Sequence, residues 1–201
     1  MIKLRLVFKK LYLMALTESN MLPIGTIAPD FSLTNAVLDK IQSVNELFSD
    51  KATVVMFICN HCPYVIHVKD ELIKLAHDYE PKGVKFIAIS SNDIAMYPQD
   101  SPEAMKIFAK KSGFTFPYLF DETQNVARAY DAACTPDFYI FNGEKKLQYR
   151  GRLDDSRPRV ENPKPVTGKD LRNALNAILA NQKVSEIQFP SMGCNIKWKN
   201  N

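Results

Sequence analysis

Cys59 and Cys62 are the residues of this sequence whose type and spacing most clearly suggest chemistry. They stand in the run FICNHCPYV, separated by Asn60 and His61 and followed at once by a proline. Two thiols at this spacing could form a redox catalyst, half of a metal site, or a pair of buried side chains that merely lie close together. The elements around them decide between these readings.

For redox chemistry, one of the two thiols must become a thiolate. A free cysteine has a pKa near ~8.5, and a helix N-terminus or a nearby imidazolium lowers it to roughly 3.5–7.5. Cys59 has both candidates, because a helix is predicted to follow it and His61 is close in sequence. Cys62 would lie in the first turn of that helix and could attack a mixed disulfide on Cys59. We therefore expect Cys59 to be the exposed attacking thiolate and Cys62 the resolving thiol, with Asn60 and His61 as tuning residues.

The metal reading needs further ligands. The sequence has no second Cys-x-x-Cys, so a closed zinc site would require His67, Cys134 or Cys194 to converge on the pair. We expect no metal. The third reading, two reduced thiols that only pack in a helix start, stays open on sequence grounds.

The pair stands where a buried strand is predicted to meet a helix. Residues 52–59, ATVVMFIC, form an apolar run rich in β-branched side chains, typical of a central strand buried on both faces. Apolar residues then recur at helical spacing from Val65 to Tyr79, and residues 83–90 read as a second buried strand. This βαβ unit places Cys59 at the carboxyl end of a central strand, where open α/β sheets hold their sites.

The rest of the chain predicts a mixed sheet. A helix should begin after Ser101 and end at Gly113. Asn142-Gly143 is a two-residue hairpin signal, and another helix follows Thr167. Thr135-Pro136 precedes the first hairpin strand, where a proline alone carries little information. A short strand near Ile187 is the only element expected in the tail. Helices should therefore cover both faces of the sheet, as in an α/β fold.

Composition narrows the possible classes of protein. The chain has 201 residues, 46% of them apolar, and a formal charge of +4. Charges of both signs are interspersed, so no nucleic-acid footprint is predicted. No apolar run approaches the ~20 residues of a membrane span. Four cysteines are too few for a disulfide scaffold and favour a catalytic or metal pair.

Three segments are expected along the chain. Residues 1–21, with basic MIKLRLVFKK and apolar LYLMAL, would be a poorly ordered extension, and a signal or anchor segment is the alternative. Residues 22–181 would form the redox domain. Residues 182–201 would be a tail packed on that domain. The expected location is the bacterial cytoplasm, with export as the alternative if the extension acts as a signal or anchor.

These motifs together resemble a family. The Cys59-x-x-Cys62 pair in its βαβ unit, Thr135-Pro136 and the closing hairpin and helix look like a thioredoxin fold. The opening APDF resembles the redoxin branch, the alkyl hydroperoxide reductase/thiol-specific antioxidant superfamily. The runs FICNHCPYV, CTPDFYIF and PSMGCNIKWK resemble bacterial peroxiredoxin-like, thioredoxin-domain proteins, and the resemblance covers residues 22–199.

The resemblance implies further features of the site. Pro136 should be cis and face the cysteine pair, leaving the Thr135 backbone free to pair with an extended substrate segment. His61 matches a histidine of disulfide isomerases and periplasmic oxidases, which implies a couple more oxidising than that of thioredoxin. The sequence also departs from the family. Neither cysteine follows Pro-x-x-x-Thr-x-x-Cys, and Thr53 stands where thioredoxins carry a buried acid.

The predicted function is thiol–disulfide oxidoreduction with a redox-active Cys59–Cys62 disulfide and no other cofactor. Protein or small-molecule thiols and disulfides would be the substrates, and thioredoxin or glutathione a possible reductant. The alternatives are a thiol peroxidase with antioxidant activity and a non-enzymatic binding module. Cys134 could be an auxiliary thiol but is expected to be a buried hydrophobe. Cys194 could be a distal resolving thiol, although an inert tail thiol is the simpler expectation.

Overall fold

A seven-stranded mixed sheet forms the centre of the protein, in a computed structural model that describes residues 16–200. The strands of the chain are β1 Leu16–Glu18, β2 Ser32–Asn35, β3 Lys40–Ser43, β4 Ala52–Phe57, β5 Val84–Ser90, β6 Tyr118–Phe120, β7 Cys134–Thr135, β8 Asp137–Asn142, β9 Leu147–Gly151 and β10 Met192–Asn195. The helices are α1 Val44–Leu47, α2 Pro63–Tyr79, α3 Pro102–Ser112, α4 Asn125–Ala129 and α5 Lys169–Leu179.

The large sheet has the order β3-β2-β6-β5-β4-β8-β9. β5 runs parallel to both β4 and β6, and the other neighbours are antiparallel. β4 therefore lies inside the sheet, and all six of its residues are buried. The predicted βαβ unit and the α/β class are confirmed, because α2 connects the parallel strands β4 and β5.

The two faces of the sheet are covered by two separate apolar clusters. One contains Val54 and Met56 of β4 with Leu72 of α2 and Leu175 of α5. The other contains Val55 and Phe57 with the residues around α4. Alternate side chains of β4 thus enter different clusters, as the two-residue period of a strand requires. The cysteine pair follows directly after the buried end of β4, which positions it.

The predicted hairpin exists with a longer connection than the sequence suggested. β8 ends at Asn142 and β9 begins at Leu147, so Asn142-Gly143 is not a two-residue loop. The side chain of Asn142 instead accepts hydrogen bonds from the backbone N–H groups of Glu144 and Lys146. An asparagine that holds its own turn in this way is a common turn device.

A small second sheet lies at the chain ends, in the order β1-β10-β7. The strand expected near Ile187 is wrong, since residues 182–190 hold no strand and the tail strand is β10. Residues 1–15 of the expected N-terminal extension lie outside the described residues. The remainder is not uniformly irregular, because Leu16–Glu18 pairs with β10. No helix among residues 16–200 is long and apolar enough to cross a membrane.

Candidate active site

The two cysteines lie between the end of β4 and the start of α2. Cys62 is the N-cap of α2 and Pro63 its first residue, a position where proline loses no hydrogen bond. Residue exposure is 1% for Cys59 and 0% for Cys62. The expected exposed attacker is therefore wrong, since Cys59 is as buried as its partner in this structure.

A carboxylate at the end of the 92–100 segment is hydrogen-bonded to the turn between the two cysteines. Asp100 is fully buried, and its Oδ1 accepts the backbone N–H of Asn60 at 2.8 Å. Its Oδ2 accepts from Asn92 Nδ2, also at 2.8 Å. The Asn60 side chain donates to the Gln99 carbonyl at 2.8 Å and accepts from Tyr118 at 3.1 Å. Asn60 therefore fixes the shape of the Cys-x-x-Cys turn and does not tune the thiols by direct contact.

His61 is held between an acid and an aromatic ring. Its Nδ1 lies 2.8 Å from Asp100 Oδ2, and its ring stacks on Tyr97 with centroids 5.6 Å apart and 9° between the planes. One ligand-type atom from each of Cys59, His61 and Asp100 lies within 4.8 Å of the others. The His61 ring thus lies close to Cys59, and the charge of Asp100 is one of the causes that raise the pKa of that thiol.

This trio is also the group that could hold a metal ion. Cys59, His61 and Asp100 offer one ligand each, whereas a closed zinc site takes four. Within the trio, Nδ1 of the histidine already lies 2.8 Å from a carboxylate oxygen of Asp100. The sequence expected other candidates, but His67 bonds Ser156 at 2.8 Å instead.

The Thr135-Pro136 segment packs against both thiols. The peptide bond between Thr135 and Pro136 is cis, as the resemblance implied. Thr135 Oγ1 lies 3.5 Å from Cys59 Sγ, and the Thr135 carbonyl accepts from Cys62 Sγ at 3.1 Å. One residue thus contacts both members of the pair, the hydroxyl at Cys59 and the carbonyl at Cys62.

The Thr135 backbone is not free to receive a substrate strand, contrary to expectation. β10 pairs with β7, with Cys194 opposite Thr135 and Asn195 opposite Cys134. Gly193 makes this approach possible, because a Cβ there would stand 2.0 Å from the Thr135 carbonyl oxygen. The chain's own tail therefore lies where an added strand was predicted.

The tail strand brings a third sulfur to the pair. Cys194 Sγ lies 2.7 Å from Cys62 Sγ, and Cys59 and Cys62 also form a side-chain hydrogen bond. Sequence reasoning treated Cys194 as an inert tail thiol and missed this contact, since 132 residues separate the two cysteines. The one local signal is the glycine before Cys194, which permits close backbone approach.

The pKa values of the three contacting thiols are shifted in different directions. The pKa of Cys62 is lowered by its hydrogen bonds with Cys194 and then with Cys59, although burial opposes this, and the start of α2 also favours the anion. The pKa of Cys59 is raised by its hydrogen bond to Cys62, by burial and by the charge of Asp100. The pKa of Cys194 is raised by its hydrogen bond to Cys62 and by burial. The lowered pKa expected for Cys59 is therefore not found, and the thiol with the lowered pKa is Cys62.

Cys134 does not belong to this cluster of contacting thiols. It is fully buried, and its sulfur lies 3.7 Å from the Pro136 carbonyl oxygen. Burial is the first cause that raises its pKa, followed by the charge of Asp137. A buried thiol with a raised pKa is a poor nucleophile, which fits the expectation of a small hydrophobe.

A buried acid is present near the site, at a position that the sequence did not indicate. Thr53 uses its hydroxyl to accept the Ser49 N–H at 2.9 Å. Asp137, directly after Pro136, is fully buried, and burial raises its pKa to about 8. Its carboxyl oxygens accept from the Phe138 N–H and the Tyr139 hydroxyl, both at 3.1 Å. Asp137 is thus a protonatable group under the Thr135-Pro136 segment.

Comparisons with known proteins agree with this geometry. Residues 24–150 match the AhpC/TSA family. A thiol-disulfide oxidoreductase ResA from Geobacillus kaustophilus (strain HTA426) is 27% identical over 159 residues, which cover 74% of this chain and 83% of that protein.

Two solved structures place the fold. An uncharacterised conserved protein from Geobacillus kaustophilus is 57% identical, with a TM-score of 0.91 over 94% of this chain and 98% of that one. A putative thioredoxin from Neisseria meningitidis is 22% identical, with a TM-score of 0.59 over 79% of this chain and 93% of that one. The thioredoxin-like fold implied by the sequence is confirmed.

Proposed function

The chain belongs to the AhpC/TSA family, and within it we propose a thiol–disulfide oxidoreductase that works through Cys59 and Cys62. The observation that carries this proposal is the pairing of the two thiols at the strand–helix turn, under a Thr135 that contacts both sulfurs. The relatives named thiol-disulfide oxidoreductase support the same general activity.

The first step is formation of a mixed disulfide on Cys59. Cys59 passes its proton to Cys62 through their shared hydrogen bond and attacks one sulfur of the substrate disulfide. A Cys59–substrate bond forms as the substrate S–S bond breaks, and the leaving sulfur departs as a thiolate. The Thr135 hydroxyl stabilises the Cys59 anion, because its hydrogen bond lowers the pKa of that thiol.

The second step releases the reduced substrate. Cys62 gives its proton to the substrate thiolate that was released in the first step and then attacks Cys59 Sγ. This attack forms the Cys59–Cys62 disulfide and expels the second substrate sulfur as a thiolate. The substrate gains two electrons and the protein loses two. The lowered pKa of Cys62 suits this step, since the resolving sulfur must be an anion at the moment of attack.

Access to Cys59 is part of the mechanism. The sulfur lies beside His61, Asp100 and Thr135, and the residue is 1% exposed. The stacked rings of His61 and Tyr97 lie on this side, and His61 retains 19% side-chain exposure. Substrate sulfur reaches Cys59 when these rings shift, which selects accessible disulfides and thiols of proteins or small molecules.

An external dithiol or thiol completes the cycle by reducing the Cys59–Cys62 disulfide. Thioredoxin and glutathione are the reductant types that we propose, and the bacterial cytoplasm is the compartment that would supply them. No cofactor beyond the disulfide is needed, because each exchange step balances in sulfur, protons and electrons.

Redox titration with mapping of the disulfide tests the proposal. The protein is equilibrated in buffers of reduced and oxidised dithiothreitol, quenched with acid, alkylated and analysed by mass spectrometry. We expect Cys59 and Cys62 to become protected together, with a two-electron transition. If these thiols stay fully alkylatable under conditions that oxidise dithiothreitol, the proposed mechanism is wrong. Cys134→Ser is the matched control and should titrate like the native chain.

Thiol peroxidase activity is the second candidate, and the family match favours it. Peroxide would oxidise Cys59 to a sulfenic acid, and condensation with Cys62 would expel water and give the same disulfide. Stopped-flow measurement of hydrogen peroxide consumption distinguishes the two functions. A rate no faster than that of free cysteine excludes the peroxidase.

A further inference from the structure

We propose that Cys194 is a third redox-active thiol, which exchanges with Cys59 for the disulfide bond to Cys62. The inference rests on the proposed function, because the Cys59–Cys62 disulfide supplies the bond to be exchanged. It assigns to the tail strand β10 a role in the chemistry and makes Cys62 the centre of a three-sulfur relay.

The contact between Cys62 and Cys194 is built by the fold. Their sulfur atoms are 2.7 Å apart, closer than two sulfurs that merely pack. Cys194 is 2% exposed and Cys62 0% exposed, so solvent does not compete for either. Cys62 Sγ thus has a bonding partner on the tail as well as on its own turn.

The backbone around Cys194 is fitted to hold it there. β10 is paired on both sides, with Cys194 opposite Leu16 in β1 and opposite Thr135 in β7. Gly193 lets the tail approach Thr135 more closely than any side chain would allow. A strand held on both edges presents its cysteine to one place, which is the effective-concentration advantage of an intramolecular reaction.

The tail also occupies the position where the sequence led us to expect a substrate strand. An extended segment paired with Thr135 carries its cysteine toward the catalytic thiols, as in β-augmentation. Cys194 is such a cysteine, but it belongs to the same chain. The tail therefore acts as a permanently bound internal substrate whose thiol meets Cys62 and not Cys59.

The exchange step is redox-neutral within the protein. Cys194 loses its proton and attacks Cys62 Sγ of the Cys59–Cys62 disulfide. The Cys62–Cys194 bond forms, the Cys59–Cys62 bond breaks, and its electron pair leaves on Cys59 Sγ. Cys59 takes up the proton, so the protein still holds one disulfide and two thiols. The oxidised protein then has a reduced Cys59, and its disulfide joins Cys62 to the tail strand.

Digestion with trypsin makes the two disulfides easy to tell apart. Cys59 and Cys62 fall in one peptide, residues 52–69, so their disulfide is a loop within it. Cys194 falls in residues 184–197, so a Cys62–Cys194 disulfide joins two peptides. Fragmentation between Cys59 and Cys62 identifies which of them carries the cross-link. Cys134 lies in a third peptide, residues 129–145.

The experiment oxidises the full-length protein with oxidised glutathione at low protein concentration, followed by acid quenching, alkylation and mapping of the monomer. We expect both the loop and the Cys62–Cys194 cross-link in the native chain and in Cys134→Ser. The Cys59→Ser variant should form the cross-link alone, and Cys194→Ser the loop alone. Cys59 should be alkylated in part of the oxidised native protein and in none of oxidised Cys194→Ser.

The possible failures are distinguishable. If the native chain forms the loop while Cys59→Ser forms no cross-link, the relay is wrong and the proposed function stands. A cross-link that joins Cys194 to Cys59 also overturns the relay, because the exchange runs through Cys62. If the native chain forms neither the loop nor the cross-link, both the relay and the proposed function are wrong. A circular dichroism spectrum of each variant establishes that it is folded.

Discussion

Cys194 lies directly opposite Thr135 in the pairing of β10 with β7. This relationship joins the last described strand of the chain to the segment that contacts both Cys59 and Cys62. It explains why the Thr135 backbone is occupied and why Cys62 has two sulfur neighbours. The order of the three sulfurs, with Cys62 in the middle, also explains why Cys62 is the thiol whose pKa is lowered.

Replacing the resolving thiol should trap the reaction at its first product. In Cys62→Ser, Cys59 can still attack a disulfide, but the hydroxyl cannot attack the mixed disulfide that results. We expect a stable adduct with glutathione on Cys59 after incubation with oxidised glutathione, measured by intact mass and peptide mapping. Cys134→Ser should give no such adduct at the active site, because Cys62 resolves it. An adduct found on Cys194 and not on Cys59 would contradict the assignment of the attacking thiol.

Removing the charge of Asp100 should make Cys59 more acidic. The hydrogen bond to Cys62 is the first cause of its raised pKa, burial the second and the Asp100 charge the third. In Asp100→Asn the third cause is removed, so the pH profile of Cys59 alkylation should move to lower pH. Asp93→Asn, in the same segment, is the control and should leave the profile in place. A shift of the Asp100→Asn profile to higher pH would contradict the account.

The Thr135 hydroxyl should be tested with a matched pair of variants. Thr135→Val keeps the shape but removes the hydrogen bond to Cys59, which is worth about 0.5–1.5 kcal/mol for a typical contact. We expect alkylation of Cys59 at neutral pH to slow by roughly two- to tenfold, as that energy implies. Thr135→Ser retains the hydroxyl and should stay close to the native rate. Equal rates of Cys59 alkylation in the two variants would contradict a stabilising role of the Thr135 hydroxyl.

Gly193 should be needed for docking of the tail. An added Cβ would stand 2.0 Å from the Thr135 carbonyl oxygen, so Gly193→Ala should lose about 1–3 kcal/mol of unfolding free energy, as overpacked sites do. Urea unfolding measures this loss, and alkylation of Cys62 should become faster in the folded variant. Gly113→Ala adds a Cβ that meets no atom within 4 Å, but Gly113 has a φ of +76° that strains any side chain. This control should therefore also lose stability while it leaves Cys62 protected. Native-like protection of Cys62 in Gly193→Ala would show that the tail does not need this glycine.

Asp137 should make stability depend on pH. Burial raises its pKa to about 8 in the folded protein, whereas an unfolded aspartate has a pKa near ~3.9. Between these values the unfolded chain has released the proton and the folded chain still holds it, so the free energy of unfolding falls as pH rises. Asp137→Asn lacks this penalty. Relative to the native chain it should gain up to about 4 kcal/mol of stability between pH 5 and pH 8, at 1.36 kcal/mol per pH unit. Urea unfolding at the two pH values checks this, and an unchanged difference would contradict it.

The parts of the site that sequence could predict are the local ones. The buried run 52–59, the proline after Cys62 and the helical spacing that follows define a strand–turn–helix without any distant information. The Thr135-Pro136 segment acquired meaning from its order after the pair and from the family resemblance. These features led to the correct fold, and the choice of Cys59 and Cys62 as the reacting pair stays a prediction.

The parts that sequence could not predict arise from contacts between distant segments. β10 has four residues, Met192–Asn195, too few to show strand periodicity, and pairing alone defines it. The turn between the two cysteines is hydrogen-bonded by Asp100, which lies 40 residues after Asn60. The first cause of the lowered pKa of Cys62 is its hydrogen bond with Cys194, a contact that the residues near Cys62 in the sequence do not indicate.

Catalysed disulfide reduction tests the central claim most directly. The rate at which dithiothreitol reduces the interchain disulfides of insulin is measured with no protein, with the native chain, with Cys59→Ser and with Cys134→Ser. The account predicts that the native chain and Cys134→Ser accelerate the reduction, while folded Cys59→Ser leaves it at the rate of dithiothreitol alone. Native-like acceleration by Cys59→Ser would contradict the claim that Cys59 is the attacking thiol.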